Sequence, residues 1–243
     1  MNLLTRKLEG FAALTDDDRQ LLDQIVQPAR VVPAHTDLVR EGERPRDVFL
    51  ILEGFACRYK LTSDGRRHIM AYMVPGDFCD LHTFVLKEMD HSVATLSQCQ
   101  VVSIPHGRIL EMMRSPTLSQ ALWFTTMVDT ATLREWLVNL GQREADERVG
   151  HLLCELLLRL QAVGLVDGAT YELPITQTEL GDTMGISSVH INRVLQRLRK
   201  AKLITWKRDA LVILDVKRLF EFSGFESNYL HLNESSRGAS QIA

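Results

Sequence analysis

The stretch from residue 175 to 204, ITQTELGDTMGISSVHINRVLQRLRKAKLI, constrains the chain more than any other. Thr176 and Glu179 have the T-x-x-E spacing of a capping box, where the hydroxyl accepts an amide proton and the glutamate reaches back to the threonine amide. Gly185 can take the left-handed conformation that ends a first helix, and Ser187 can cap a second. In that second helix Ile191, Val194, Leu195 and Leu198 fall at i, i+3, i+4 and i+7 and make one apolar stripe. The opposite face carries Val189, Arg193, Gln196 and Lys200, flanked by His190, Asn192 and Arg197. The following LITWKRDALVILD reads as strand, charged turn and strand. Two short helices around a glycine, then a β wing, predict a winged helix-turn-helix; a solvated amphipathic helix in a bundle is the plainer reading of the second helix taken alone.

The outward face has the chemistry that reads a duplex. Arginine bonds bidentately to guanine, asparagine to adenine, and an outward valine can meet a thymine methyl. Ser188 to Arg193, at the helix N-terminus, are expected in the major groove, with Arg197 and Lys200 on phosphate. Thr176 and Gln177, at the start of the first helix, can hold the DNA backbone through free amides. The charge distribution agrees. The chain has a net charge of −3, yet between Ile175 and Ala210 seven basic residues face three acidic ones. An acidic chain with one basic module fits a local polyanion contact, although solvated surface charge gives the same count.

The rest of the chain reads in two textures. From about Val31 to Pro105 short apolar runs such as DVFLILEG and ACRYKLTSDG end at turn signals, and Gly42, Gly54, Gly65 and Gly76 recur at intervals of 12, 11 and 11. That regularity predicts hairpins of a small antiparallel barrel or jelly roll. A helix capped at Thr15 or Asp16 precedes them. From Ser115 the texture becomes helical, with no glycine before Gly141. Leu118, Leu122 and Trp136 share one face of this long helix, and Trp123, Met127 and Leu137 another. A helix covered on two sides, by its own domain and by a second copy, has this pattern; so does an ordinary buried helix. Gly141-Gln142 reads as a hinge before a second helix. The expected class is therefore α+β: a β-roll sensor domain at 1–115, a dimerisation helix and hinge at 116–142, a winged helix-turn-helix at 143–222 and a tail at 223–243. No apolar run has the roughly 20 residues of a membrane span, and no signal peptide is evident. Cys57, Cys79, Cys99 and Cys154 form no CxxC pair, which fits reduced thiols in the cytoplasm.

Barrel, long helix and winged helix-turn-helix in that order resemble the Crp/Fnr family of bacterial transcription regulators. The resemblance covers roughly residues 10–220, most specifically EGERPRDVFLILEG, DGRRHIMAYMVPGDF and the stretch from 175 to 204. It implies a homodimer joined along the long helix on a near-palindromic operator, no enzymatic activity, and contact with RNA polymerase if the protein activates. It also implies a guanine-reading role for Arg193.

The resemblance bears on PGDFCDLHTF, residues 75–84, where Cys79 and His82 stand three positions apart. Cyclic-nucleotide binders of the family carry here a glutamate for the ribose and an Arg-Ser pair for the phosphate. The corresponding positions hold Leu81, His91 and Ser92. Leucine cannot bond a ribose hydroxyl, and a mostly neutral His91 is a poor guanidinium substitute, so cyclic AMP is not the expected effector. The family's iron–sulfur sensors have an N-terminal cysteine cluster, whereas the first cysteine here is Cys57. Its haem sensors have a cysteine and a histidine after the same turn, but at another spacing and with an N-terminal proline ligand that Asn2 replaces. Four readings of Cys79 and His82 remain: a buried thiol beside a hydrogen-bonded histidine, a redox-active thiol, a haem or metal site, or a pocket for an organic effector with His91 and Ser92. No cofactor is expected outright. The competing functional class is a jelly-roll metal-dependent enzyme or small-molecule binder, which would need a clustered ligand set; no H-x-H occurs.

Overall fold

The computed structural model describes residues 2–86 and 88–232. The chain divides into two compact units, Met1–Met127 and Val128–Ala243. The end of the tail after about Asn233, whose small and polar residues predict mobility from the sequence, lies outside the described residues.

The first unit begins with helices α1 (Leu3–Glu9) and α2 (Asp16–Ile25), the latter entered through a Thr15–Asp18 capping box. Eight strands follow: β1 (Ala29–Val32), β2 (Asp37–Val39), β3 (Asp47–Glu53), β4 (Ala56–Leu61), β5 (Arg67–Met73), β6 (Phe78–Cys79), then, after the short α3 (Thr83–Leu86), β7 (Ser92–Thr95) and β8 (Cys99–Pro105). They form two four-stranded antiparallel sheets ordered β1-β8-β3-β6 and β2-β7-β4-β5. All four periodic glycines have positive φ at the turns between strands.

The β3 run DVFLILE is almost continuously apolar because both of its faces are covered. Ile51 points into a core shared by the two sheets, with Val32, Val39, Ala56, Met73, Cys79, Val93 and Val101. Val48 and Leu50 point the other way, against Leu4, Leu8 and Leu22 of the N-terminal helices and Ile109 and Met112 of α4 (His106–Met112). Successive strand residues face opposite sides, so a strand buried on both loses its polar alternation.

Helix α5 (Pro116–Gln142) runs from the first unit into the second. Leu118, Ala121 and Leu122 bury against the first core, and Phe124 stacks on Phe11 at 4.8 Å. The sequence-based hinge at Gly141-Gln142 is displaced: α5 continues through Gln142, and the break falls at Arg143 before Glu144 caps α6 (Ala145–Ala162). Gly141 is tolerated one residue before the helix end because its loss of helix propensity is only about 1 kcal/mol, while Trp136 and Asn139 earlier in the same helix are buried.

In the second unit, β9 (Thr170–Glu172) is followed by α7 (Gln177–Met184), α8 (Ser188–Lys200), β10 (Ile204–Lys207), β11 (Ala210–Ile213) and α9 (Val216–Ser223). The sheet order is β10-β11-β9, so the wing hairpin gains a third strand from before the helix pair. Glu155, fully buried on α6, accepts hydrogen bonds from Trp136 Nε1 (2.9 Å), Tyr229 OH (3.0 Å) and Arg159 Nη1 (3.0 Å). A buried carboxylate needs such partners. Tyr229 and Leu230 are accordingly buried, and the segment after Ser223 continues the packed unit at least that far.

Candidate nucleic-acid interface

The two helices expected around Gly185 form with their caps in place. Glu179 N–H donates to Thr176 Oγ1 (3.2 Å), and Thr176 N–H donates to Glu179 Oε2 (2.7 Å). Gly185 ends α7 at φ +65°, and Ser187 Oγ accepts from His190 N–H at 3.2 Å to start α8. The sharpness of the turn depends on a second glycine that the pattern alone did not single out. At Gly181 the carbonyl of Ile186 comes within 2.6 Å of where a β-carbon would lie. A side chain there would push the entry of α8 away from α7.

Ile191, Val194, Leu195 and Leu198 are buried, which turns Ser188, Val189, His190, Arg193, Gln196, Arg197 and Lys200 outward. Hydrogen bonding then sorts the predicted reading residues. Asn192 is half-buried; its Nδ2 donates to Gln177 Oε1 (3.1 Å) and its Oδ1 accepts from Gln196 Nε2 (2.9 Å). The amide expected to meet adenine is thus engaged at both ends, in a ladder linking α7 to α8. Arg197 turns back toward α6: its Nε lies 2.5 Å from Asp146 Oδ2 and its Nη2 bonds Oδ1. Arg193, by contrast, has no side-chain hydrogen bond or ion pair among the described residues and stays free at the centre of the face. The last turn of α8 gathers Arg197, Arg199 and Lys200, where cations also complement the helix dipole. At the wing tip Lys207 and Arg208 are exposed beside the β10–β11 turn. They form a second exposed basic patch, legible in the charged turn WKRD but not assigned from it.

Of the candidate sensor residues, His82 and His91 both approach Asp80, whereas Cys79 points away from them into the core. Cys79 is 2% exposed in the core between the sheets, and burial, reinforced by the adjacent Asp80 charge, pushes its thiol well up. A neutral buried thiol is a poor nucleophile, which argues against the redox-active reading. His82 is at the surface, 3.9 Å from Asp80 Oδ1. Among the described residues no three His, Cys, Asp or Glu side chains are grouped to hold a metal ion.

His91, expected from the sequence to be mostly neutral, stands between two carboxylates. His91 Nε2 lies 3.2 Å from Asp80 Oδ2 and its Nδ1 lies 2.6 Å from Asp90 Oδ1. Burial disfavours the cation, but these two carboxylates outweigh it and raise the histidine's pKa. Asp80, 2% exposed and at φ +61°, also lies 2.7 Å from Arg58 Nε. Burial opposes its charge; Arg58 and His91 prevail and hold its carboxyl at about 2. Ser92 Oγ accepts from the Glu41 amide at 3.0 Å. Arg58, Asp80 and His91 are therefore an internal charge network, and Leu81 beside them is buried.

Residues 147–222 match the Crp-like helix-turn-helix domain, and residues 29–115 match the cyclic nucleotide-binding domain. The chain is 28% identical over 209 residues to the transcriptional activatory protein AadR of Rhodopseudomonas palustris, covering 83% of each. It is 29% identical over 175 residues to the nitrogen fixation regulation protein FixK of Bradyrhizobium diazoefficiens, covering 70% of each. The solved structure of FixK2 from Bradyrhizobium japonicum shares the fold, with a TM-score of 0.72 at 22% identity over 80% of this chain and 96% of that one. No helix among the described residues is long and apolar enough to cross a membrane. The β-roll, the long helix and the capped, outward-facing α8 have the form these relatives share, and the chain is a DNA-binding transcriptional regulator of the Crp/Fnr family.

Proposed function

We propose that the protein acts in the cytoplasm as a homodimer that sets two copies of α8 in successive major grooves of a near-palindromic operator. The observation that carries this reading is the free guanidinium of Arg193 on an outward face where Asn192 and Arg197 are tied down. Ser188, Val189 and His190 surround it for base contact; Lys200 and the wing-tip cations Lys207 and Arg208 fit phosphates. Ser187, Thr176 and Gln177 orient the helices, and the remaining amides at the start of α7 suit the DNA backbone. Arg197 joins the phosphate contacts only by exchanging Asp146.

Dimerisation is supported by α5. Trp123 and Leu137 are 60% and 66% exposed, with Met127 and Val138 on the same side, opposite the buried Leu118, Leu122 and Trp136. Large apolar side chains clustered along one helix face are the mark of an interface. The names of relatives that are activators support contact with RNA polymerase. Cyclic AMP in the family's usual mode is disfavoured by the buried Leu81 and by a His91 already held by two carboxylates. The match to transcription regulators supports a regulator rather than an enzyme.

Selection of bound sites from random duplexes with the full-length protein tests this. Two inverted half-sites about one helical turn apart are expected. Arg193→Ala should lose discrimination at one base pair per half-site, about 1–3 kcal/mol per contact. An unchanged base preference in that variant, or a selected site without inverted repeats, would overturn the proposal.

A further inference from the structure

We infer that Val189 reads the C5-methyl group of a thymine in the operator, one or two base pairs from the guanine met by Arg193. The inference rests on the reading that α8 enters the major groove, and it specifies what that helix recognises there.

Three observations support it. Val189 is 62% exposed in the first turn of α8, on the face opposite the buried stripe. It stands four residues before Arg193, so the two side chains are neighbours along one face. Four residues of helix rise about 6 Å, which spans one to two base-pair steps of about 3.4 Å. Finally, the amide that directly precedes Arg193 is committed within the fold. Asn192 already donates to Gln177 and accepts from Gln196. The apolar side chain beside Arg193 on that face is Val189, and in the major groove the thymine methyl is the group that offers an apolar contact. An isolated exposed valine is unremarkable on an ordinary surface. Here it stands where the base edges would meet the helix, next to His190 and one turn before Arg193.

The test uses the full-length protein and the duplex selected above. Each thymine is replaced in turn by deoxyuridine, which removes the methyl and keeps every hydrogen-bonding group. Burying one methyl is worth about fourfold in affinity. One position per half-site should therefore weaken binding about fourfold, and roughly sixteenfold when both half-sites are changed. In Val189→Ala and Val189→Ser the same replacement should have no effect. These variants change an exposed side chain, and an unaltered melting temperature would show that the fold is kept. Deoxyuridine tolerated at every position would overturn the inference, and so would a penalty that persists in both variants. A third contrary result is a loss on replacing an adenine by 7-deazaadenine that disappears in Asn192→Ala, because it would show that Asn192 reads adenine after all. Failure to select any specific duplex would instead bring down the reading of α8 itself.

Discussion

The β-roll and the helix-turn-helix unit each set an arginine and a histidine near short polar side chains, and they treat them in opposite ways. In the roll, Arg58 and His91 converge on Asp80 and are largely buried. On α8, His190 and Arg193 point outward, and Arg193 has no partner among the described residues. The difference follows from the cost of desolvation. A charge removed from water must be paired, or it destabilises the fold by several kcal/mol, whereas a solvated charge can wait for a ligand. Asn192 and Arg197 show that position on the outward helix is not sufficient, because the Gln177–Asn192–Gln196 ladder and Asp146 already hold them. The side chains available to a ligand are those whose hydrogen-bonding capacity the fold has left unused.

The largest test of this contrast is Arg58→Ala. It leaves Asp80 buried with only His91 and the more distant His82 beside it, and breaking such a pair from one side should cost about 3–5 kcal/mol of stability. Arg58→Ala combined with Asp80→Asn should recover part of the loss. Denaturant unfolding followed in the two single variants and the double variant measures both; equal stability of Arg58→Ala and the parent would mean that the network contributes nothing.

The same network predicts a pH signature. Asp80 titrates at about 2 when folded, below its ordinary 3.8. Its contribution, roughly 2 kcal/mol, is complete above the unfolded value and is lost as pH falls toward 2. His91 shifts the other way, above its ordinary 6.5. Its contribution is complete below 6.5 and disappears as pH rises through the folded value. The groups facing the histidine are Asp80, Asp90, Arg58 and, across 6.1 Å between rings, His82. Unfolding midpoints should therefore decline on the alkaline side, and His91→Asn should flatten that decline. A variant that keeps the full slope would place the titration elsewhere.

How much of this was legible in the sequence depends on the range over which each feature is encoded. The caps at Thr176 and Ser187, the Gly185 turn and the buried stripe of α8 are relations within four residues, and all form as the spacing predicts. The two faces of α5 are equally local, and Leu118 and Trp136 bury while Trp123 and Leu137 do not. The missed features are long-range. Asp80 meets Arg58 from 22 positions away, so no periodicity reveals that His91 is held between carboxylates. Strand β9 joins the wing across the whole helix pair. The Cys79–His82 spacing looked like a ligand pair because distance along the chain hides direction: Cys79 on β6 points into the core, and His82, after the left-handed turn at Asp80, lies at the surface.

The smallest expected effect concerns Arg197, where the contrast between committed and free groups is least sharp. Its partner Asp146 lies 51 residues away, in the first turn of α6, and both are near solvent. An exposed pair of this kind contributes little to stability, so Asp146→Asn should leave the melting temperature nearly unchanged. What it should change is the electrostatics of the DNA-facing helix. With the carboxylate neutralised, the guanidinium no longer has to exchange one anion for another before meeting a phosphate. Affinity for random duplex should rise severalfold, and the salt dependence should steepen by about one counterion for each half-site. Arg197→Ala should then cost more in the Asp146→Asn background than in the parent, a coupling that a double-mutant cycle isolates. If Asp146→Asn binds random duplex no better than the parent, Arg197 is a tie between α8 and α6 in the complex as in the free protein, and the phosphate contacts belong to Lys200 and the wing.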